Sequence, residues 1–204
     1  MVRLSFCSLL CLSCVVFTFG AVSLGAEERP VALAVGDAAP AFNANTGAGD
    51  LWQSVDHTAK GKYLVVYFYP AAMTGGCTQQ ACSYRDQTAD LTGLDAEVVG
   101  ISADPVNNLK LFKQAHSLNF TLLSDVNATI ASRFGVPVRA GGTFTTTVDG
   151  KEVTLKRPYT FARWTFVIDK SGKVVHKDTS VNASADSSSV AEFLRAATRA
   201  DSDG

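Results

Sequence analysis

Apolar residues along this chain fall into short runs separated by Gly, Pro, Asp and Asn, and the runs alternate between strand-like and helix-like spacing. Tyr63 to Tyr69 is apolar or aromatic at all seven positions, which predicts a central strand covered on both faces. Pro70 stops it, Ala71 to Gly76 has loop composition, and Cys77 to Leu91 is compatible with a helix. Ala96 to Ser102 predicts a second strand. Asp104 and Pro105 then read as the N-cap and first residue of a helix to about Ser117, with Leu109, Phe112 and Leu118 facing inward. Phe120 to Leu123 predicts another strand, and Asn127 to Phe134 another helix closed at Gly135. This alternation indicates an α/β fold: a central sheet with helical crossovers on its faces.

The flanks add detail. Val35 to Phe42 reads as an extended arm, and Asn43 to Lys62 as a short N-terminal hairpin and loop around Leu51, Trp52 and Val55. Val136 to Phe161 breaks the rhythm: Phe144 to Val148 and Val153 to Lys156 around Asp149-Gly150 predict an inserted hairpin, roughly 137–160, that decorates the domain. Trp164 to Ile168 and Lys173 to His176 form a second hairpin. A Ser- and Asp-rich linker, Asp178 to Ser189, leads to an amphipathic helix, Ser189 to Arg199, with Val190, Phe193, Leu194 and Ala197 inward.

The first residues look like an address. Arg3 precedes the apolar stretch Leu4 to Leu24. Small residues gather at Gly20, Ala21, Ser23, Gly25 and Ala26, and charges resume at Glu27-Glu28-Arg29. This layout predicts a signal peptide, residues 1–26, cleaved near 25/26, and an exported, periplasmic or extracytoplasmic product. A retained membrane anchor is the other reading, since about 20 apolar residues can span a bilayer. Residues 27–204 then form a single domain, consistent with 204 residues that are 47% hydrophobic and 18% charged. A net charge of -1 without a basic stripe argues against a nucleic-acid partner.

Removing the leader changes the cysteine count. Cys7, Cys11 and Cys14 leave with it, and Cys77 and Cys82 remain, five residues apart. An extracytoplasmic setting permits disulfides. A bond closing so small a loop adds little stability, because the entropic gain grows with loop length. The pair therefore points to chemistry.

The densest chemical signal is Tyr67 to Cys82. A cysteine in the first turn of a helix sits among unpaired N–H groups at the positive end of the dipole, which favours the nucleophilic thiolate. Thr74 can place its hydroxyl beside that sulfur, while Gly75 and Gly76 let the backbone approach. Together they would cradle the two oxygens of a peroxide, and attack would leave a sulfenic acid on Cys77.

Pro70, Thr74 and Cys77 match the pattern P-x-x-x-T-x-x-C, which resembles the peroxiredoxin active-site motif, and the spacing of Cys82 is similar to the bacterioferritin-comigratory or Q subgroup. Val35 to Phe42 resembles that family's opening segment, and Arg163-Trp164-Thr165-Phe166-Val167-Ile168-Asp169 the segment around its active-site arginine. The resemblance covers roughly Val35 to Val175. It implies a thioredoxin-like fold with a central mixed sheet. Pro70 would shield the thiolate, Thr74 bind substrate, Arg163 stabilise thiolate and transition state, and Cys82 act as resolving cysteine. It also implies a hydroperoxide substrate, a thioredoxin-like thiol reductant, no cofactor and no metal. A guanidinium beside Cys77 would favour the thiolate and could donate to the departing oxygen. Gly75 stands where many relatives carry Pro, and Gln80 where relatives often carry Glu.

Two other readings stay open on the residues: an exported thiol–disulfide oxidoreductase, against which the Cys-x4-Cys spacing counts, and a binding module with a passive disulfide. On an ideal helix, residues five apart are separated by about 8 to 9 Å between Cα atoms, more than the roughly 7 Å a disulfide tolerates. Joining Cys77 to Cys82 therefore requires the helix to open. A resolving cysteine on the same chain makes a monomer sufficient, a weak dimer being equally compatible. His57, His116 and His176 lie in separate elements and read as solvated surface residues, and Asp86, Asp104 and Asp125 as helix, cap and loop residues.

Overall fold

The computed structural model describes residues 33–58 and 60–202; the leader predicted at 1–26 lies outside the described residues. Asn43–Thr46 (β1) and Leu51–Gln53 (β2) form the N-terminal hairpin, followed by Val55–Thr58 (α1) and Tyr63–Phe68 (β3). Gly75–Gly93 (α2), Ala96–Ser102 (β4), Val106–Ala115 (α3), Thr121–Ser124 (β5) and Thr129–Arg133 (α4) come next. Val138–Val148 (β6), Lys151–Phe161 (β7), Trp164–Ile168 (β8), Val174–Asp178 (β9) and Asp186–Ser202 (α5) complete the chain.

Seven strands make one mixed sheet in the order β2-β1-β5-β4-β3-β8-β9. β3 runs parallel to β4 and antiparallel to β8, and β4 runs parallel to β5. The unbroken apolar run of β3 has its reason in period-two geometry, which gives each face of the sheet its own core. Tyr63, Val65 and Tyr67 pack with Leu91, Leu109, Phe112, Val190 and Leu194 on the side of α2, α3 and α5. Leu64, Val66 and Phe68 pack with Trp52, Ile130, Phe134 and Phe166 on the other. Gly100 of β4 lies in register with Tyr67; a Cβ there would stand 2.6 Å from the tyrosine ring, so only glycine leaves room for it.

Helix α2 joins this core through a sparser face. Its buried residues are Cys77, Gln80, Ala81, Tyr84 and Leu91, a stripe with few large apolar groups. Polar bonds to the start of α5 take their place: Gln80 Nε2 and Tyr84 O–H donate to Asp186 Oδ2 at 2.7 and 2.8 Å, and Ser83 bonds Ser187. α5 accordingly begins at Asp186, three residues before the predicted start, because Asp186 and Ser187 are buried in this junction.

Other expectations need correction. Asp104 does not cap α3. Pro105 holds the N-cap position, and Asp104 turns inward, where Oδ1 accepts from Arg157 Nε at 2.8 Å and Oδ2 from Ala72 N–H at 2.8 Å. The capping carboxylate is Asp125, which receives Ile130 and Ala131 N–H at the start of α4. The β6–β7 hairpin turns at Asp149-Gly150, both at positive φ as the predicted tight turn requires. Its strands are eleven residues long, however, and it is no mere decoration: Leu155, Arg157 and Phe161 are buried, and Arg157 also reaches Ala72 O at 3.3 Å. His57 is buried, stacked on Trp52 and bonded to Glu97. His116 and His176 are half-buried, His176 against Phe193. Burial and Arg85 hold His116 below its ordinary value.

The Asp104–Arg157 pair is almost wholly inaccessible, at 0% and 4% side-chain exposure. Removing one partner strands the other charge out of water. Arg157→Met is therefore expected to lower stability by about 3 to 5 kcal/mol, measured by urea unfolding followed through tryptophan fluorescence.

Candidate active site

β3 ends at Phe68, and Tyr69 and half-buried Pro70 carry the chain off the sheet into the loop Ala71 to Thr74. That loop is clamped. Ala72 N–H donates to Asp104 Oδ2, Ala72 O accepts from Arg157, and the Thr74 hydroxyl donates to Ala71 O at 2.9 Å. The clamp holds Met73 at φ 70, a left-handed conformation that disfavours a side chain bearing Cβ. Thr74 then takes the N-cap position of α2 in extended conformation. Cys77 enters in the first turn, as its sequence position predicts.

Cys77 is 2% exposed. Arg163, delivered by the short link between β7 and β8, donates from Nη2 to Cys77 Sγ at 3.4 Å and from Nη1 to Gln80 Oε1. The cation meets the sulfur it was expected to meet. Thr74 does not donate to the sulfur; its hydroxyl proton is committed to Ala71 O, which leaves the oxygen as an acceptor for an incoming O–H. A Cβ on Gly76 would sit 3.4 Å from Arg163 Nη2, an ordinary contact with the end of a flexible side chain, and a Cβ on Gly75 would meet nothing within 4 Å. Close backbone approach, expected at both positions, requires glycine at neither.

Cys82 is half-buried further along the same helix, and both cysteines are free thiols. They stand five positions apart along α2. Among the described residues, no group of three or more His, Cys, Asp or Glu could hold a metal ion.

Two further residues belong to this cluster. Gln80 stands out in the sequence only as a departure from the usual Glu; it is fully buried and bridges Arg163 to Asp186. The sequence places Asp186 in a linker. It is instead 4% exposed, accepts from Gln80, Tyr84 and Thr165, and burial pushes its carboxyl above the usual aspartate range. Nothing local marks it, because an acid in a Ser-rich stretch before a helix ordinarily stays in water. Tyr67 and Tyr84 stack at 4.8 Å beside the site, and burial raises both phenols well above their ordinary value.

The chain as a whole is similar to known proteins. The family model described as AhpC/TSA family matches residues 35–177. Peroxiredoxin Bcp of Escherichia coli strain K12 is 37% identical over 145 residues, which cover 71% of this chain and 84% of that protein. The crystal structure of peroxidoxin BcpB from Mycobacterium tuberculosis is similar at TM-score 0.66 and 32% identity, covering 80% of this chain and 97% of the other. Peroxiredoxin Q of Xanthomonas campestris shares the fold at TM-score 0.64 and 24% identity, covering 82% and 98%. The mixed sheet with helices on both faces is thus the thioredoxin-like fold of the peroxiredoxins, and the chain belongs to the AhpC/TSA family, in its bacterioferritin-comigratory or Q-type branch.

Proposed function

We propose that this thiol-dependent peroxidase uses Cys77 as the sulfur that attacks peroxide and Cys82 as the sulfur that resolves it. The observation that carries the reading is the Arg163 guanidinium 3.4 Å from the buried Cys77 sulfur. Attack forms a sulfur–oxygen bond and breaks the peroxide O–O bond. The sulfur loses two electrons, the distal oxygen gains them, and that oxygen leaves as water or alcohol once it takes a proton. Arg163 offers fixed N–H groups to the developing negative charge and cannot lose its own charge in doing so. Thr74 accepts the peroxide O–H, and Pro70 closes the loop over the sulfur and limits water.

Cys82 then attacks the sulfenic acid. A disulfide forms, the sulfur–oxygen bond breaks, and hydroxide departs as water after protonation. For this step α2 must open locally. Gly75 and Gly76 favour opening, because each weakens a helix by about 1 kcal/mol relative to Ala. The low local helix propensity supplies a role for Gly75 that steric room does not. A thiol reductant of the thioredoxin kind returns the disulfide to two thiols. Both cysteines lie on one chain, so a monomer suffices. The leader-like residues 1–26 support export, with cleavage near 25/26, and the reductant would then be an exported dithiol protein.

Cys77→Ser is expected to abolish peroxide consumption, while Cys82→Ser retains one turnover and then stalls as sulfenic acid; stopped-flow peroxide assays with intact mass analysis test both, and full activity in Cys77→Ser would sink the assignment. Oxidation should sharply raise amide exchange across Thr74 to Arg85 relative to the reduced protein; identical exchange patterns in the two states would refute local opening. Expressed with its leader, the mature protein should begin near residue 26 or 27 by intact mass, and an uncleaved chain would refute removal of the leader.

A further inference from the structure

Gln80 stands between two groups with opposite needs. The Arg163 guanidinium only donates hydrogen bonds, and an ionised Asp186 carboxylate only accepts them. A carboxamide offers one donor group and one acceptor, so just one of its two flipped orientations satisfies both neighbours. In the structure Nε2 donates to Asp186 Oδ2 at 2.7 Å, and Oε1 thereby faces Arg163 Nη1.

We infer that Asp186 is a positioning residue for the peroxidase reaction: it fixes the orientation of the Gln80 amide and, through it, the place of the Arg163 guanidinium against Cys77. The inference rests on the reading of Cys77 as the attacking sulfur.

The carboxylate is itself held from three elements. Oδ2 accepts from Gln80 and from the Tyr84 hydroxyl, both of α2, and from the Thr165 hydroxyl of β8 at 2.9 Å, while its own backbone opens α5. A carboxylate 4% exposed is costly to keep for packing alone. Gln80 stands between it and Arg163, so the three groups form a hydrogen-bonded row: Asp186, Gln80, Arg163, ending on the sulfur. An asparagine in place of Asp186 would keep the volume and lose the selection. Its amide could pair with Gln80 in either sense, and in the flipped sense Gln80 would present its own N–H group to Arg163, donor against donor.

This logic makes a reciprocal exchange informative. Gln80→Glu alone sets a second carboxylate against Asp186. Combined with Asp186→Asn, the introduced asparagine can donate to the introduced glutamate, and that glutamate can accept from Arg163, so the row is rebuilt with its polarity moved by one residue. The Tyr84 and Thr165 hydroxyls can rotate to serve either version.

The test is the rate constant for oxidation of Cys77 by hydrogen peroxide, measured in single-turnover stopped flow on the reduced full chain. Asp186→Asn and Gln80→Glu are each expected to slow it about tenfold, and the double variant to return within about threefold of wild type, a coupling read from the double-mutant cycle. A wild-type rate in Asp186→Asn, or losses that multiply in the double variant, would overturn the inference. So would a loss of urea stability in Asp186→Asn with the rate unchanged, the outcome of a merely structural role. Should Asp186→Asn fail to fold, Gln80→Glu and the double variant decide the matter by the presence or absence of rescue. Cys77→Ser, run alongside, separates the two readings. Activity there refutes the nucleophile, whereas inactivity there with a wild-type rate in Asp186→Asn refutes only the positioning role.

Discussion

In the proposed reaction Cys77 attacks as an anion, yet the residue is 2% exposed, and an anion taken out of water needs partners that replace it. The first turn of α2 supplies backbone N–H groups and the positive end of a helix dipole. Arg163 supplies a full charge at 3.4 Å. That cation is held in place by the Gln80 carbonyl and by the short link that joins the β6–β7 hairpin to β8. The site is thus a small charge network set against a largely apolar core.

The proposed mechanism asks two incompatible things of the helix that bears the sulfur. It must be formed for the first step, to focus its dipole on Cys77, and open for the second, to let Cys82 arrive. A helix anchored by a broad apolar stripe would resist opening, since each buried Leu- or Phe-sized side chain contributes about 1.5 to 3 kcal/mol. α2 instead begins with two glycines and is tied to α5 largely by hydrogen bonds through Gln80, Ser83 and Tyr84. Each such bond contributes only about 0.5 to 1.5 kcal/mol net, because water can replace it once exposed. Anchoring of this kind leaves the first two turns, where Cys77 and Ala81 are the buried apolar groups, with little large side-chain packing to lose on opening.

The loop before the helix is fixed in a different manner. Ala71 to Thr74 includes a non-glycine residue at φ 70, and it is held by Asp104 and Arg157, which come from the end of β4 and from the long hairpin. The hairpin therefore belongs to the catalytic half of the molecule, since its buried arginine governs the path of the chain toward Cys77. A loop tied down by hydrogen bonds next to the helix would confine the proposed opening to the segment between Cys77 and Cys82.

The sequence by itself determined the strand and helix order, because period-two and near-four spacing of apolar residues record which faces are buried. The all-apolar run at β3 announced a strand covered on both sides, and Asp149-Gly150 announced the tight turn. The position of Cys77 was legible for the same reason: P-x-x-x-T-x-x-C places a cysteine at a helix start, a local fact. Only the tertiary structure decided what each buried polar group faces. Asp104 looked like a cap and proved to be the partner of Arg157, 53 residues away; His57 looked solvated and lies under Trp52. Asp186 looked like linker and is bonded to Gln80, 106 residues distant. Burial of an apolar residue leaves a periodic trace in its neighbours, whereas burial of a charge depends on one partner brought by the fold from elsewhere in the chain, and nothing in the adjacent residues records it.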